Sequence, residues 1–314
     1  MLDTLVVISP VFILVGAGAT ACWTGVISQA TVDGTMSFVL KIAVPVLLFR
    51  ELARLDLALV FQPALLLSFY LAAFTAYTIG IVVARFVIGR DLPDAVVIGF
   101  GALFSNSLLL GIPITFQSFG PESVAGNYAI IAFHSPLTYL VGLTVMEMVL
   151  AGRSGMRSLP RKVGGAMFRN AIMVGIAAGI LANLLSLAPT GPVGAATEML
   201  AATAFPAALF SLGGVLTRIP IKRSFGAAAM VASLSLLVHP AIAFLLGVGV
   251  FGLDKAGVVS AVMTAAMPTG VNGFIFAQLY GRATGAAASA VFLATLLSVL
   301  TIPLWIMLLN TVLG

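Results

Sequence analysis

Two short runs place polar groups where an otherwise apolar chain has almost none. Ser105-Asn106-Ser107 is the first, followed within two turns by Gly111 and Pro113. Met267-Pro268-Thr269-Gly270-Val271-Asn272-Gly273-Phe274 is the second. Proline removes an amide donor and clashes with the preceding turn, while glycine tolerates non-helical backbone. Each run is therefore expected to interrupt a helix, the first at Gly111 and Pro113, and to bare main-chain amides and carbonyls. The amides that open a new half-helix carry partial positive charge and favour an anion. Asn106 and Asn272 add neutral donors and acceptors able to orient a carboxylate. A plain kink, with each asparagine bonded to neighbouring backbone, would account for one such run better than for two. The candidate contact set is Asn106, Ser105, Gly111, Pro113, Pro268, Thr269, Gly270 and Asn272, with Lys41 as a nearby fixed charge.

Four ionisable residues fall inside apolar blocks: Lys41, His134, Glu147 and His239. Such a group at bilayer depth is costly and marks a functional candidate. Lys41, one turn before Pro45, could pair with a substrate carboxylate or serve as an internal counter-charge in place of a metal ion. A stem that snorkels to the interface is the competing reading. His134, just before Ser135-Pro136, and His239, just before Pro240, could hold a coupling proton, since imidazole titrates near neutrality. Either could equally be a packing residue. Glu147 stands close to Arg153 and reads as interfacial.

These residues need long apolar elements to position them, and the composition supplies them. Of the 314 residues 61% are hydrophobic and only 8% charged, against about 25% charged in an average soluble protein. The apolar residues come in blocks of about 20, the length of a helix that spans a bilayer. The expected fold is all-α and polytopic, with ten transmembrane helices near 4–27, 32–53, 63–87, 94–119, 124–150, 168–187, 195–217, 224–251, 255–280 and 285–312. The stretch from Met1 lacks a basic leader, having Asp3 instead, and reads as a retained first span. With the N-terminus outside, eleven lysines and arginines lie in inward loops (Arg85, Arg90, Arg153, Arg157, Arg161, Lys162, Arg169, Arg218, Lys222, Arg223, Arg282). Three lie outside (Arg50, Arg54, Lys255), so both termini are expected outside a cell (inner) membrane.

A basic linker at 151–167 divides the chain into five helices at 1–150 and five at 168–314. Pro45-Val46-Leu47-Leu48-Phe49 matches Pro206-Ala207-Ala208-Leu209-Phe210, and Gln117-Ser118-Phe119-Gly120 matches Gln278-Leu279-Tyr280-Gly281. Both pairs share one offset: 206 − 45 = 278 − 117 = 161. An odd number of spans per half makes the repeats inverted. This is the architecture of carriers that alternate access around a midplane site between interrupted helices.

Asn106-Ser-Leu-Leu-Leu-Gly-Ile-Pro113 resembles the first crossover motif of the auxin efflux carrier family, and Pro268 to Ala277 is similar to its second. The resemblance covers nearly the whole chain. It implies a fold shared with sodium–bile-acid symporters, in which helices 4 and 9 are broken and cross at the substrate. Helices 1, 2, 6 and 7 would then form a scaffold and helices 3–5 and 8–10 a transport domain that moves as an elevator or by rocking. It further implies that Asn106 occupies the carboxylate-contacting position and that bacterial members handle malonate, malate and similar acids. The chain departs from the plant members in its short central loop and in Gly273, where they place proline.

No acidic residue sits at the middle of a span, which argues against a cation substrate. No Gly-x-Ser-x-Gly elbow, His-Glu-x-x-His or nucleotide-binding glycine loop occurs, so an enzyme is not expected. No cofactor, metal or nucleic-acid partner is called for. The partners are a small organic anion and lipid, with a homodimer left open, as are sodium or proton coupling. The rival readings are a sodium-coupled organic-anion symporter of the same fold, or a non-transporting membrane sensor or scaffold.

Overall fold

The fold comes from a computed structural model that describes residues 2–55, 62–151, 171–218 and 225–313. Almost all of the 151–167 linker, Arg169, Lys222 and Arg223 lie outside the described residues. Among the described residues twelve helical rods follow one another: α1 (Leu2–Trp23), α2 (Gln29–Arg54), α3 (Pro63–Phe86), α4 (Leu92–Leu103), α5 (Ser107–Phe119), α6 (Pro121–Leu150), α7 (Ala171–Leu184), α8 (Gly191–Leu216), α9 (Phe225–Val250) and α10 (Lys255–Ala265). The last two are α11 (Val271–Tyr280) and α12 (Thr284–Leu313). No strand occurs among the described residues, and six of the rods are long and apolar enough to cross a bilayer: α2, α3, α6, α8, α9 and α12. This is an all-helical, multi-pass membrane fold.

Three helices widen just ahead of a proline. Wide π turns at Val39–Ala43, Ser107–Gly111 and Leu234–Val238 each end two residues before Pro45, Pro113 and Pro240. Proline clashes with the carbonyl four residues earlier and leaves it without a donor. A wider turn relieves the clash and lets the helix continue. The orphan carbonyl still needs a partner in a dry environment. In α9 the carbonyl four residues before Pro240 is that of Leu236, and Trp305 Nε1 on α12 donates to it at 2.8 Å.

The chain forms two compact units. One holds residues 9–60 and 160–218, and the other holds residues 61–159 and 219–314 with the first eight. In the first unit, helices approach until backbone meets backbone. A Cβ on Gly18 would stand 1.8 Å from the Phe210 carbonyl oxygen, and one on Gly179 would stand 2.7 Å from that of Phe49. The two contacts are related by one offset along the chain: 179 − 18 = 210 − 49 = 161. Its polar ends are tied as well. Arg218 pairs with Asp33 at 2.6 Å and Arg50 with Glu198 at 3.0 Å, while Asn183 Nδ2 donates to the Leu52 and Leu55 carbonyls.

In the second unit, an aromatic core of Phe69, Tyr70, Phe100, Phe104 and Phe276 fills the space between α3, α4, α6 and α11. Asp91 caps α4 by accepting from the Asp94 amide at 2.9 Å, and Asp254 caps α10 by accepting from that of Gly257 at 2.8 Å. Arg282 reaches back to Asp91 at 3.0 Å and Asp94 at 3.8 Å. Glu147, expected at the interface beside Arg153, accepts from Tyr280 Oη at 3.4 Å; Arg153 lies outside the described residues.

Candidate functional site

Between α4 and α5 the chain leaves helical geometry at Phe104 (ψ 94°) and Asn106 (ψ 49°). Between α10 and α11 it does so over Met267–Gly270. The two gaps meet. Ser105 and Thr269 form an antiparallel bridge, in which the Asn106 amide donates to the Pro268 carbonyl at 2.8 Å and the Gly270 amide to the Phe104 carbonyl at 2.9 Å. Each interruption thus satisfies two backbone groups of the other, which neither could do alone at bilayer depth.

One expectation needs correction here. The sequence puts the first interruption at Gly111 and Pro113, but Gly111 is helical at φ −63°, ψ −51°, and α5 runs on through Pro113. The wide turn before Pro113 absorbs its clash, so the break falls one to two turns earlier, at the polar triplet itself. Gly111 still borders the second gap, since a Cβ on it would stand 3.1 Å from Met267 Cγ. The second interruption, at Pro268, Thr269 and Gly270, lies where the sequence puts it.

The bridge leaves a defined set of polar groups over. Ser105 and Ser107 are buried and their hydroxyls bond each other at 3.2 Å. The Asn106 side chain is buried, and no partner for its amide occurs among the described residues. Thr269 Oγ1 is buried with no hydrogen-bond partner there. The N-terminus of α11 begins at Gly270 with no side-chain cap, as does that of α5 at Asn106. The water-facing ends of α4 and α10 have aspartate caps; the buried ends beside the gaps have none. Free amides, a free hydroxyl and an unpaired carboxamide are what an anionic ligand requires.

Aromatic side chains wall this region. Phe100 of α4 stacks on Phe276 of α11 with centroids 4.0 Å apart. They lie so close to α6 that a Cβ on Gly142 would stand 2.4 Å from the Phe100 ring. Tyr139 Oη on α6 donates to Asn272 Oδ1 at 3.1 Å. His134, one turn earlier, is buried against Phe104 (4.6 Å between centroids) and Phe69 (5.5 Å). The Ser105 main chain lies beside it, yet neither ring nitrogen meets a partner in hydrogen-bond geometry among the described residues. His239 packs on the other histidine's neighbour, Phe69, at 5.0 Å, and its ring nitrogens likewise meet no hydrogen-bond partner among the described residues.

Every sequence-derived site residue except Lys41 belongs to this one unit. Lys41 belongs to the other, where it is exposed midway along α2 inside a wide turn. Two polar elements escaped the sequence reading. One is Tyr139. The other is Asn127, whose Nδ2 donates to Thr264 Oγ1 at 2.8 Å and Thr115 Oγ1 at 3.3 Å, fastening α10 and α5 to α6. The available signal was an asparagine inside an apolar block.

The sequence pattern of a family described as membrane transport protein matches residues 4–162 and 168–306. The chain belongs to this membrane transport family. It is therefore a membrane transporter in the broad sense, and its similar relatives bear transporter names rather than enzyme names. A provisionally named malonate transporter of Rhizobium meliloti (strain 1021) is 25% identical over 271 residues, covering 85% of this chain and 83% of its own. An uncharacterized transporter of Methanothermobacter thermautotrophicus (strain Delta H) is 27% identical over 299 residues, covering 94% of this chain and 95% of its own. Among solved structures, the sodium proton antiporter of Methanocaldococcus jannaschii at pH 8 superposes with a TM-score of 0.62 at 15% identity. That match covers 97% of this chain and 92% of the antiporter, a likeness of fold alone.

Proposed function

We propose that this family member carries a small organic anion, a mono- or dicarboxylate, across the inner membrane by alternating access. The substrate is held where the α4/α5 and α10/α11 gaps meet. The observation that carries this reading is the pair of uncapped helix starts flanked by the buried Asn106 carboxamide and by Thr269 Oγ1, which has no partner among the described residues. Exposed main-chain amides inside hydrocarbon cost several kcal/mol each unless something fills the site. The lack of any acidic residue at mid-span favours an anion over a cation. The relative provisionally named for malonate supports a carboxylate.

In this proposal each broken pair is one span, and the rods make ten spans in two inverted halves. The recurrence of the Gly18–Phe210 contact as Gly179–Phe49 supports the repeat. The unit with the gaps would move as the transport body, and the other would serve as scaffold. Lys41 would be a fixed counter-charge, since a lysine facing hydrocarbon at that depth is costly. Both termini would lie outside.

The test is uptake of a panel of mono- and dicarboxylates into proteoliposomes. Saturable uptake of at least one acid, weakened by Asn106→Ala, is expected. Uptake that Asn106→Ala leaves unchanged removes this residue from the site. Sodium-independent uptake excludes the symporter alternative.

One observation favours proton coupling. His134 lies beside the Ser105 main chain at the gap with both ring nitrogens unpartnered among the described residues. A proton taken up there would travel with the anion and reduce the charge crossing the hydrocarbon.

A further inference from the structure

The leftover polar groups at the gap differ in one respect that concerns selectivity. A carboxamide has an acceptor face and a donor face, and a half-turn about χ2 exchanges them. The amide of Asn106 is free to make that exchange, because no partner fixes it among the described residues. Asn272 is not. Its Oδ1 accepts from Tyr139 Oη at 3.1 Å, while its Nδ2 has no partner among the described residues. Asn272 is the second residue of α11 and so belongs to the turn whose own amides are uncapped. Tyr139 is itself held on three sides, by Phe100 at 5.6 Å, Phe104 at 5.7 Å and Phe276 at 6.4 Å between ring centroids. Its hydroxyl proton is committed to Asn272.

We propose that Tyr139 determines specificity by locking Asn272 as an obligate hydrogen-bond donor, so that this side chain turns N–H toward the ligand and favours an ionised carboxylate over its neutral carboxamide. This rests on the reading of the gap as the substrate site. A carboxamide bound there can turn only its oxygen toward the Asn272 donor and must leave its NH2 to the Thr269 hydroxyl, whereas either oxygen of a carboxylate serves Asn272. Release of Asn272 lets Oδ1 turn inward and accept from the amide, which erases the discrimination. Sites that hydrogen-bond a ligand group discriminate strongly because a mismatched ligand leaves buried polar atoms unpaired.

The experiment uses the full-length protein in liposomes with radiolabelled malonate as probe, and unlabelled malonate and malonamide as competitors. Tyr139→Phe keeps the ring and removes only the hydroxyl. The expected result is a KM for malonate raised about tenfold with Vmax within about a factor of two, as one lost hydrogen-bond constraint implies. The malonate-to-malonamide inhibition ratio should fall by about the same factor. A packing role would weaken both competitors in parallel, and a ratio unchanged by Tyr139→Phe overturns the proposal. Asn272→Asp is the second variant: with Tyr139 still donating to one oxygen, the other oxygen would face the ligand and abolish malonate uptake in a normally folded protein. Asn272→Asp with wild-type uptake also overturns it. Absence of saturable malonate uptake by the wild type overturns the proposal for this probe together with malonate as substrate. The same absence across the whole acid panel overturns the site reading itself.

Discussion

Asn106 is bonded through its main chain and unbonded through its side chain, and these two halves should separate experimentally. Its amide nitrogen closes the bridge to Pro268 at 2.8 Å, which Asn106→Ala leaves intact. Because the side chain has no protein partner among the described residues, the substitution should change thermal stability by less than about 0.5 kcal/mol. It should weaken carboxylate binding about tenfold, the worth of one hydrogen bond to a charged ligand. Melting in detergent and uptake KM, measured side by side, check both halves. His134→Gln should leave uptake measurable but stop it from accelerating when the outside is acidified; acid-stimulated uptake in that variant would place the coupling proton elsewhere. Asn106, Thr269 and Asn272 were legible because an amide or hydroxyl amid leucines has no cheap explanation. Tyr139 was not, because a tyrosine in an apolar helix reads as packing until its hydroxyl is seen to have a partner on another helix.

At the scale of elements, proline marks wide turns here more often than breaks. Its presence in both polar runs located the second gap correctly, since Pro268 lies within the non-helical stretch Met267–Gly270. It misplaced the first, because a π turn accommodates Pro113 and the helix needs no rupture there. The same device in α9 gives a prediction. Trp305→Phe keeps an aromatic ring but removes the donor to the Leu236 carbonyl, which lies four residues before Pro240. The loss should be about 1–3 kcal/mol of stability, seen as a lower melting temperature with an unchanged KM. In the other unit, Gly179→Val should be far worse than a surface change. Backbone 2.7 Å from the added carbon cannot retreat as a side chain can, and the expected readout is loss of monodisperse protein in detergent.

For the whole molecule, the pattern of apolar blocks and basic loops made a multi-pass helical protein plain from composition alone. The two-unit arrangement was not legible that way, because contacts as far apart along the chain as Gly18–Phe210 (210 − 18 = 192) and Phe49–Gly179 (179 − 49 = 130) leave no local trace. The ion pairs now give the topology a consistency check. Arg282 with Asp91, Arg218 with Asp33 and Arg50 with Glu198 each join loops that an alternating count of ten spans puts on one side. The proposed orientation can be read by labelling. The chain has one cysteine, Cys22, so Cys22→Ser gives a blank background. Glu122→Cys should then react with a membrane-impermeant maleimide in intact cells, and Gly285→Cys should react only after permeabilisation. The reverse pattern would invert the assignment.

The pairing of Ser105 with Thr269 also constrains how the protein is made. Their separation along the chain is 269 − 105 = 164 residues. A ribosome adding about 5–20 residues per second needs on the order of ten to thirty seconds between them. Throughout that interval the nascent Leu92–Leu103 rod, too short to cross by itself, ends in dangling polar backbone. The insertion machinery must therefore shelter an unfinished segment in an aqueous or protein-lined lateral gate until its distant complement emerges. Ribosome stalling shortly after Phe119 should leave that segment accessible to water-soluble reagents, and stalling past Tyr280 should close it off.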